Sequence, residues 1–198
     1  MNINESFVKF KTIFDAAEIN VDLEKIVNVD ELMKASAAPT VDTGLGFEGS
    51  LLYHIRRVWY FAQELSKIYS IISPVETHTL AKIVVLHQLG KVGMFVPNTD
   101  EWQVNKLGKV FTFVETGTCL KTGERSKLLC SNAGVIFTPE EYEAMSIIDK
   151  SPEEYENMNK YRTALSTIIR VANDMAYAHA RKVYSQLHPP KGGCLSKG

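Results

Sequence analysis

Residues 80–91 read Leu-Ala-Lys-Ile-Val-Val-Leu-His-Gln-Leu-Gly-Lys, and this stretch decides which fold the rest of the sequence supports. Its apolar residues recur at the spacing of one helix face, and His87 shares that face. The preceding residues 73–76, Ser-Pro-Val-Glu, have the pattern of a helix N-cap, so we expect the helix to begin there. We expect Gly90 to end it. A lone histidine on such a face is more often a core residue with a hydrogen-bond partner than a ligand.

A second histidine lies on the apolar face of another predicted helix. This helix is expected to run from about residue 47 to about Tyr69. His54 falls on the face that carries its apolar residues, which are Leu51, Ile55, Val58, Ala62 and Leu65. Two histidines on the buried faces of two helices are harder to explain as core packing alone, so His54 and His87 are candidate site residues.

The two histidine segments together resemble a known protein family. Residues 48–54 have the pattern Glu-Gly-x-x-x-x-His, and the following apolar helix ends in His-x-Leu-Gly-Lys. This order is similar to the HD-domain superfamily of metal-dependent phosphohydrolases, and in particular to a branch common in bacterial and phage genomes. The resemblance covers about residues 46–182. It implies an all-α fold, a single HD-like helical bundle over residues 1–198.

The family's metal-binding residues can be carried over one at a time. His54 matches the first histidine, and His87 matches the histidine of the His-Asp pair. Gln88 stands where the family has the aspartate of that pair, and Asn173 stands where it has a late aspartate. Helical phase also places Asn173 at the edge of the buried face and Asp174 away from it. The resemblance therefore implies a site whose two carboxylates have become amides.

This replacement weakens metal binding for a physical reason. Divalent cations are held by anionic oxygens and neutral imidazoles, and amide oxygens are weaker partners. Two opposite charges about 4 Å apart are worth roughly 4 kcal/mol at an effective dielectric of about 20, which is about a thousandfold in affinity. We therefore expect a vestigial pocket of His54, His87, Gln88 and Asn173 with no metal and no cofactor.

Two basic residues are candidates for binding a phosphate group. Arg57 matches a basic position that often follows the first histidine in the superfamily, and a surface arginine is an equally good interpretation. Lys91 follows the helix end beside the expected pocket, and a lysine there also favours the helix dipole without any ligand.

Composition and charge limit the classes of function and the cellular locations that the sequence supports. The chain has 198 residues, of which 45% are hydrophobic, and a net charge of −1, which argues against a broadly basic nucleic-acid surface. No apolar run is long enough for a membrane helix, and residues 1–5 do not resemble a signal peptide. The three cysteines have no metal-type spacing and favour a reducing compartment, so cytoplasm is the expected location.

Further elements are predicted from local patterns. Residues 1–45 are expected to form N-terminal helices and a linker, residues 46–187 the core, and residues 188–198 a flexible tail. One small β-hairpin is predicted near residues 102–114, with strands at 102–104 and 110–114. Helices are predicted to begin at Thr138 and Ser151, and the last helix to span about 153–187, with His179 in the core.

Three functions follow from these patterns. The first is a catalytically degenerate HD-like protein that binds a nucleotide or other phosphate-bearing ligand, or a protein partner. The second is an active phosphohydrolase of nucleotides or phosphate esters. It would hold manganese, iron, nickel or magnesium through His54, His87 and Asp174, with Asp149 or Glu48 supplying further oxygens. The third is a structural or assembly protein. Aromatic residues on the His54 helix also allow a homodimer contact; these are Tyr53, Trp59, Tyr60 and Phe61.

Overall fold

A computed structural model describes residues 2–114, 119–158 and 162–189, and this part of the chain is mainly helical. The α-helices are α1 Ile3–Ala16, α2 Leu23–Ile26, α3 Val29–Lys34, α4 Ser50–Tyr69, α5 Thr77–Leu86, α6 Glu101–Leu107, α7 Thr122–Asn132, α8 Pro139–Ser146, α9 Pro152–Asn157 and α10 Ala164–Leu187. Short 3-10 turns lie at Val41–Thr43, Leu89–Lys91 and Ile147–Asp149. The strands are β1 Phe95–Pro97 and β2 Phe111–Phe113.

The two longest helices, α4 and α10, pack against each other and carry the centre of the fold. α5 packs against α1 and α4, and α8 packs against α10 and α7. The apolar face predicted for α4 is buried except for Leu65, which is partly buried, and His54 lies on this face. The buried apolar residues form one cluster that includes α1 and α2 as well as the later helices. No helix in the described ranges has the length and apolar character needed to cross a bilayer.

The helix that contains most of residues 80–91 is shorter than predicted. It begins at Thr77 and not at Ser73, and its N-cap is Glu76, whose side chain makes no capping hydrogen bond. It ends at Leu86, and His87 is its C-cap. Gly90 does not end the helix. A Cβ atom on Gly90 would lie 2.1 Å from Thr122 O, so glycine is needed there for the close approach of α7.

The predicted hairpin is present, but its first strand was placed wrongly. Residues 102–104 belong to α6, because Asp100 accepts a hydrogen bond from Gln103 N as an N-cap and Gly108 (φ 62°) ends the helix. The antiparallel partner of β2 is β1, with Phe95 opposite Phe113. The sheet also meets the linker, since Phe111 N donates to Pro39 O and Val41 N donates to Gly108 O.

The prediction of one long C-terminal helix over 153–187 was also wrong. α9 ends at Asn157 and α10 begins at Ala164, where the Thr163 side chain accepts from Ser166 N. The predicted caps are confirmed, because Thr138 and Ser151 begin α8 and α9. Of the predicted tail, residues 190–198 lie outside the described residues.

Candidate functional site

The four side chains of the predicted pocket meet in the interior. His54 lies on α4, His87 and Gln88 follow α5, and Asn173 lies on α10. Their exposed fractions are 0%, 0%, 1% and 6%. His54 Nε2 lies 3.0 Å from Asn173 Oδ1, and Gln88 Nε2 lies 2.9 Å from the same oxygen. Because this oxygen can only accept, His54 donates to it through Nε2–H.

The hydrogen bonds of His87 fix which of its nitrogens carries the proton. Its Nδ1 lies 2.9 Å from Val84 O and 3.0 Å from Ile83 O, and carbonyl oxygens only accept. Nδ1 is therefore protonated, and Nε2 presents a lone pair. His54 Nδ1, His87 Nε2 and Gln88 Oε1 are buried and have no hydrogen-bond partner among the described residues. Three acceptor atoms of the centre are therefore unsatisfied within the part of the chain that the structure describes.

Lys91 places a positive charge beside this centre. Its side chain is buried, and Nζ donates to Ala37 O (2.7 Å) and to the hydroxyl of Tyr177 (2.6 Å). None of the carboxylates in the described ranges lies in an ion pair with it. The Tyr177 ring also contacts the His54 ring, with centroids 4.4 Å apart and an angle of 46° between the ring planes. Lys91 is therefore a buried cation held by neutral groups alone.

Both histidines are neutral at pH 7. Burial, and then the charge of Lys91, lower the pKa of His54 well below its usual value, although the hydrogen bond to Asn173 acts in the opposite direction. Burial lowers the pKa of His87 from 6.5 to about 4, against hydrogen bonds to two backbone carbonyls. A positive charge on His87 would lower the pKa of His54 further.

This set of groups does not fit a catalytic divalent cation. It consists of two imidazoles, two amides and an ammonium group, and it contains no carboxylate to balance a dication. Across the described residues no three histidine, cysteine, aspartate or glutamate side chains gather in an arrangement that could hold a metal. We therefore derive no chemical step through a metal at this centre.

The acids considered as replacement ligands are engaged elsewhere. Asp174 lies on the solvent side of α10 and pairs with Arg170 (Nε to Oδ2, 3.2 Å). Asp149 Oδ2 accepts from the Gly123 and Glu124 amides (2.8 and 3.2 Å), so it caps α7. Burial raises the pKa of Asp149. Glu48 is exposed.

Arg57 and Lys91 do not form one anion site. Arg57 Nε donates to the hydroxyl of Tyr53 (3.2 Å), and its charge lowers the pKa of His179, after burial as the first cause. Lys91 instead acts on His54 and His87. The predicted core residue His179 is only partly buried, with its ring 6.2 Å from that of Phe61.

Sequence reasoning did not identify Tyr177 as part of the centre. It lies one helical turn after Asn173 on α10, and its hydroxyl and ring connect Lys91 with His54. The i, i+4 spacing from Asn173 was the available signal. Among the aromatic residues proposed for a dimer contact, Tyr60 is exposed, whereas Tyr53, Trp59 and Phe61 pack against the core.

Comparison of the chain with protein-family models, with curated proteins and with solved structures finds no match.

Proposed function

We propose that this chain is a catalytically inactive HD-like protein that binds a phosphate-bearing ligand, such as a nucleotide, at the polar centre around Lys91. The observation that carries the proposal is the buried ammonium group of Lys91, which has no carboxylate partner among the described residues. A buried charge is costly unless it is paired. An anionic ligand would supply the missing opposite charge.

The surroundings of Lys91 suit a ligand that has donors as well as negative charge. The three unpaired acceptors of His54, His87 and Gln88 could each accept a hydrogen bond from a hydroxyl or amino group. The attraction between Lys91 and an anion about 4 Å away would be worth roughly 4 kcal/mol at an effective dielectric of about 20. Lys91 and Asn173 keep exposed fractions of 8% and 6%, whereas both histidines are at 0%, so a ligand would approach from their side.

We infer that the protein is catalytically inactive from the charges at the same centre. A phosphohydrolase of this kind needs a metal ion to acidify water and to neutralise charge on the phosphoryl group. The neutral network His54–Asn173–Gln88 and the neighbouring cation of Lys91 both oppose a bound dication. The proposal is therefore a binding protein on a phosphohydrolase-like scaffold.

A second candidate, a structural role, is favoured by one observation. His54, His87 and Gln88 are almost fully buried, as they would be if the former site had become part of the core. In that case no ligand would be needed.

Two measurements test the proposal. In a thermal-shift titration, inorganic phosphate or adenosine 5′-monophosphate should raise the Tm of the native protein with increasing concentration. Lys91→Met should lose this response, and Lys67→Met, which changes an exposed lysine on α4, should keep it. No response to any phosphate compound would favour the structural role.

Metal analysis of the purified protein addresses catalysis. We expect no stoichiometric manganese, iron or nickel in the native protein, and a gain of bound metal in Gln88→Asp, because a carboxylate would stand beside His54 and His87. Stoichiometric metal that is lost from the native protein in His54→Ala would overturn the inactive assignment and favour an active phosphohydrolase.

A further inference from the structure

A cavity lies away from Lys91, between residues 41–47, the start of α4 and the end of α10. Its volume is about 450 Å³. Apart from backbone and small residues, its walls are mainly apolar or aromatic side chains, which are Val41, Phe47, Tyr53, Val183, Tyr184 and Leu187. We call this cavity the α4–α10 cleft. Its size lies in the range of about 300–1,000 Å³ typical of small-molecule sites, which are also mostly apolar.

The walls of the α4–α10 cleft are fixed by close backbone packing. A Cβ atom on Gly44 would lie 2.3 Å from Ala180 O, and Gly44 has φ +73°. A Cβ atom on Gly46 would lie 2.4 Å from Thr40 O. The loop therefore reaches α10 at a distance that only glycine permits, and the cleft is formed before any ligand arrives.

The cleft also leaves apolar surface uncovered. Leu187 is 72% exposed and Phe47 is 38% exposed, and both line the cleft. Binding of an apolar molecule that covers this exposed surface would be favourable, because it removes apolar surface from water.

Positive charge lies at the edge of the cleft. The guanidinium of Arg57 sits 5.3 Å from the ring centroid of Tyr53, a cleft residue, and donates to its hydroxyl. Within the described ranges Arg57 does not form an ion pair with a carboxylate. The edge therefore complements a negatively charged group.

We propose that the α4–α10 cleft binds an amphipathic anion of the fatty-acid type, with its apolar chain in the cleft and its carboxylate on Arg57. A guanidinium can hold a carboxylate through two parallel hydrogen bonds. Residues 190–198, which follow the end of α10, supply few apolar side chains, chiefly Cys194 and Leu195. They are therefore a poorer match to an apolar cavity of this size than an alkyl chain.

Titration calorimetry with decanoate, below its micellar concentration, tests the proposal on the full chain. We expect saturable binding of one decanoate per chain, and weaker binding of decanol because it lacks the charge. Arg57→Gln should weaken decanoate binding about tenfold, the value of one charge-assisted contact. Arg56→Gln, which removes a cation that donates to Ser6 Oγ on α1 (3.2 Å), should leave binding unchanged.

Two further variants test the contact between the alkyl chain and the apolar walls of the α4–α10 cleft. Leu187→Ala removes an exposed side chain that the fold does not need, and it should weaken binding roughly fivefold through lost apolar contact. Ile72→Ala, in the turn that follows α4 and 84% exposed, is its matched control. Val183→Trp should fill the cleft and abolish binding while far-UV circular dichroism stays native.

The proposal would be overturned by the absence of saturable binding, or by equal effects of Arg57→Gln and Arg56→Gln. It would also be overturned if decanoate bound only after Leu195→Ser, because the chain's own terminus would then be the occupant. Lys91→Met should not change decanoate binding, so this result does not depend on the phosphate site. If Lys91→Met abolished decanoate binding, the ligand would lie at the other centre and the proposal would fail.

Discussion

His54 Nε2 and Asn173 Oδ1 lie 3.0 Å apart and join the two longest helices across 119 residues of sequence. Gln88 donates to the same oxygen, so a single amide oxygen connects α4, α10 and the segment after α5. Buried polar groups of this kind stabilise a fold only while every donor has a partner. The centre is therefore a point where a small change should have a large effect on stability.

Asn173→Ala should lower the free energy of unfolding by about 3 kcal/mol, because two buried donors, on His54 and Gln88, would lose their acceptor. Urea denaturation followed by circular dichroism measures this loss. Asp174→Ala is the matched control, since Asp174 is adjacent in sequence and its side chain is 59% exposed. Its effect should stay within about 0.5 kcal/mol. Equal losses in both variants would contradict the described hydrogen bonds.

Acid should destabilise the protein through His87. Its pKa is about 4 in the folded chain and 6.5 without burial, so the unfolded chain binds the proton more readily between these values. The contribution of neutral His87 to stability is therefore fully present above pH 6.5 and is lost as the pH falls towards 4. From His87 alone we expect the free energy of unfolding at pH 5 to be about 2 kcal/mol below its value at pH 7.

Urea unfolding at both pH values measures this difference. His87→Gln should reduce it, whereas His78→Gln, at an exposed histidine, should leave it unchanged. The lowered pKa of His54 adds a loss of the same sign, so His87→Gln should not remove the difference completely. A protein equally stable at pH 5 and pH 7 would show that the imidazoles are not buried as neutral groups.

Glu141→Ala should destabilise the fold by about 3 kcal/mol, because it leaves the ammonium of Lys82 without its partner. The two groups lie 2.7 Å apart with side chains only 16% and 7% exposed, and Glu141 also accepts from Thr138 N as part of the α8 cap. Thermal or urea unfolding measures the loss. Glu64→Ala breaks an exposed pair with Lys67 and should change stability by less than about 1 kcal/mol.

Ser126→Ala should lower stability by about 2 kcal/mol, since the buried Ser126 hydroxyl accepts from Gly90 N (2.7 Å) and contacts the carbonyl oxygens of His87 and Thr122. This hydroxyl holds α7 against the segment that carries His87 and Gln88. Ser131→Ala, an exposed serine on α7, should have little effect. If the two variants were equally stable, the contact between α7 and Gly90 would not depend on this hydrogen bond.

The sequence predicted those features that depend on local patterns. The apolar spacing of α4 placed His54 in the interior, and the Thr138 and Ser151 caps lie where the capping pattern puts them. The helical phase of α10 also predicted correctly that Asn173 is buried and that Asp174 is exposed.

The errors arose where contacts distant in sequence, or a competing local cap, decided the structure. Trp102 and Val104 favour a strand, but the Asp100 cap places them in α6. Burial of Lys91 depends on Ala37 and Tyr177, which are 54 and 86 residues away, so no local pattern could reveal it.

The linker before α4 is held from two sides. Ala37 O accepts from Lys91 Nζ, and two residues later Pro39 O accepts from Phe111 N in β2. A ligand that displaced the Lys91 ammonium from Ala37 O would therefore alter the backbone segment whose Pro39 carbonyl accepts from the sheet. The amide proton of Phe111 would then exchange with solvent at a different rate, which gives a reporter on the small sheet for events inside the bundle.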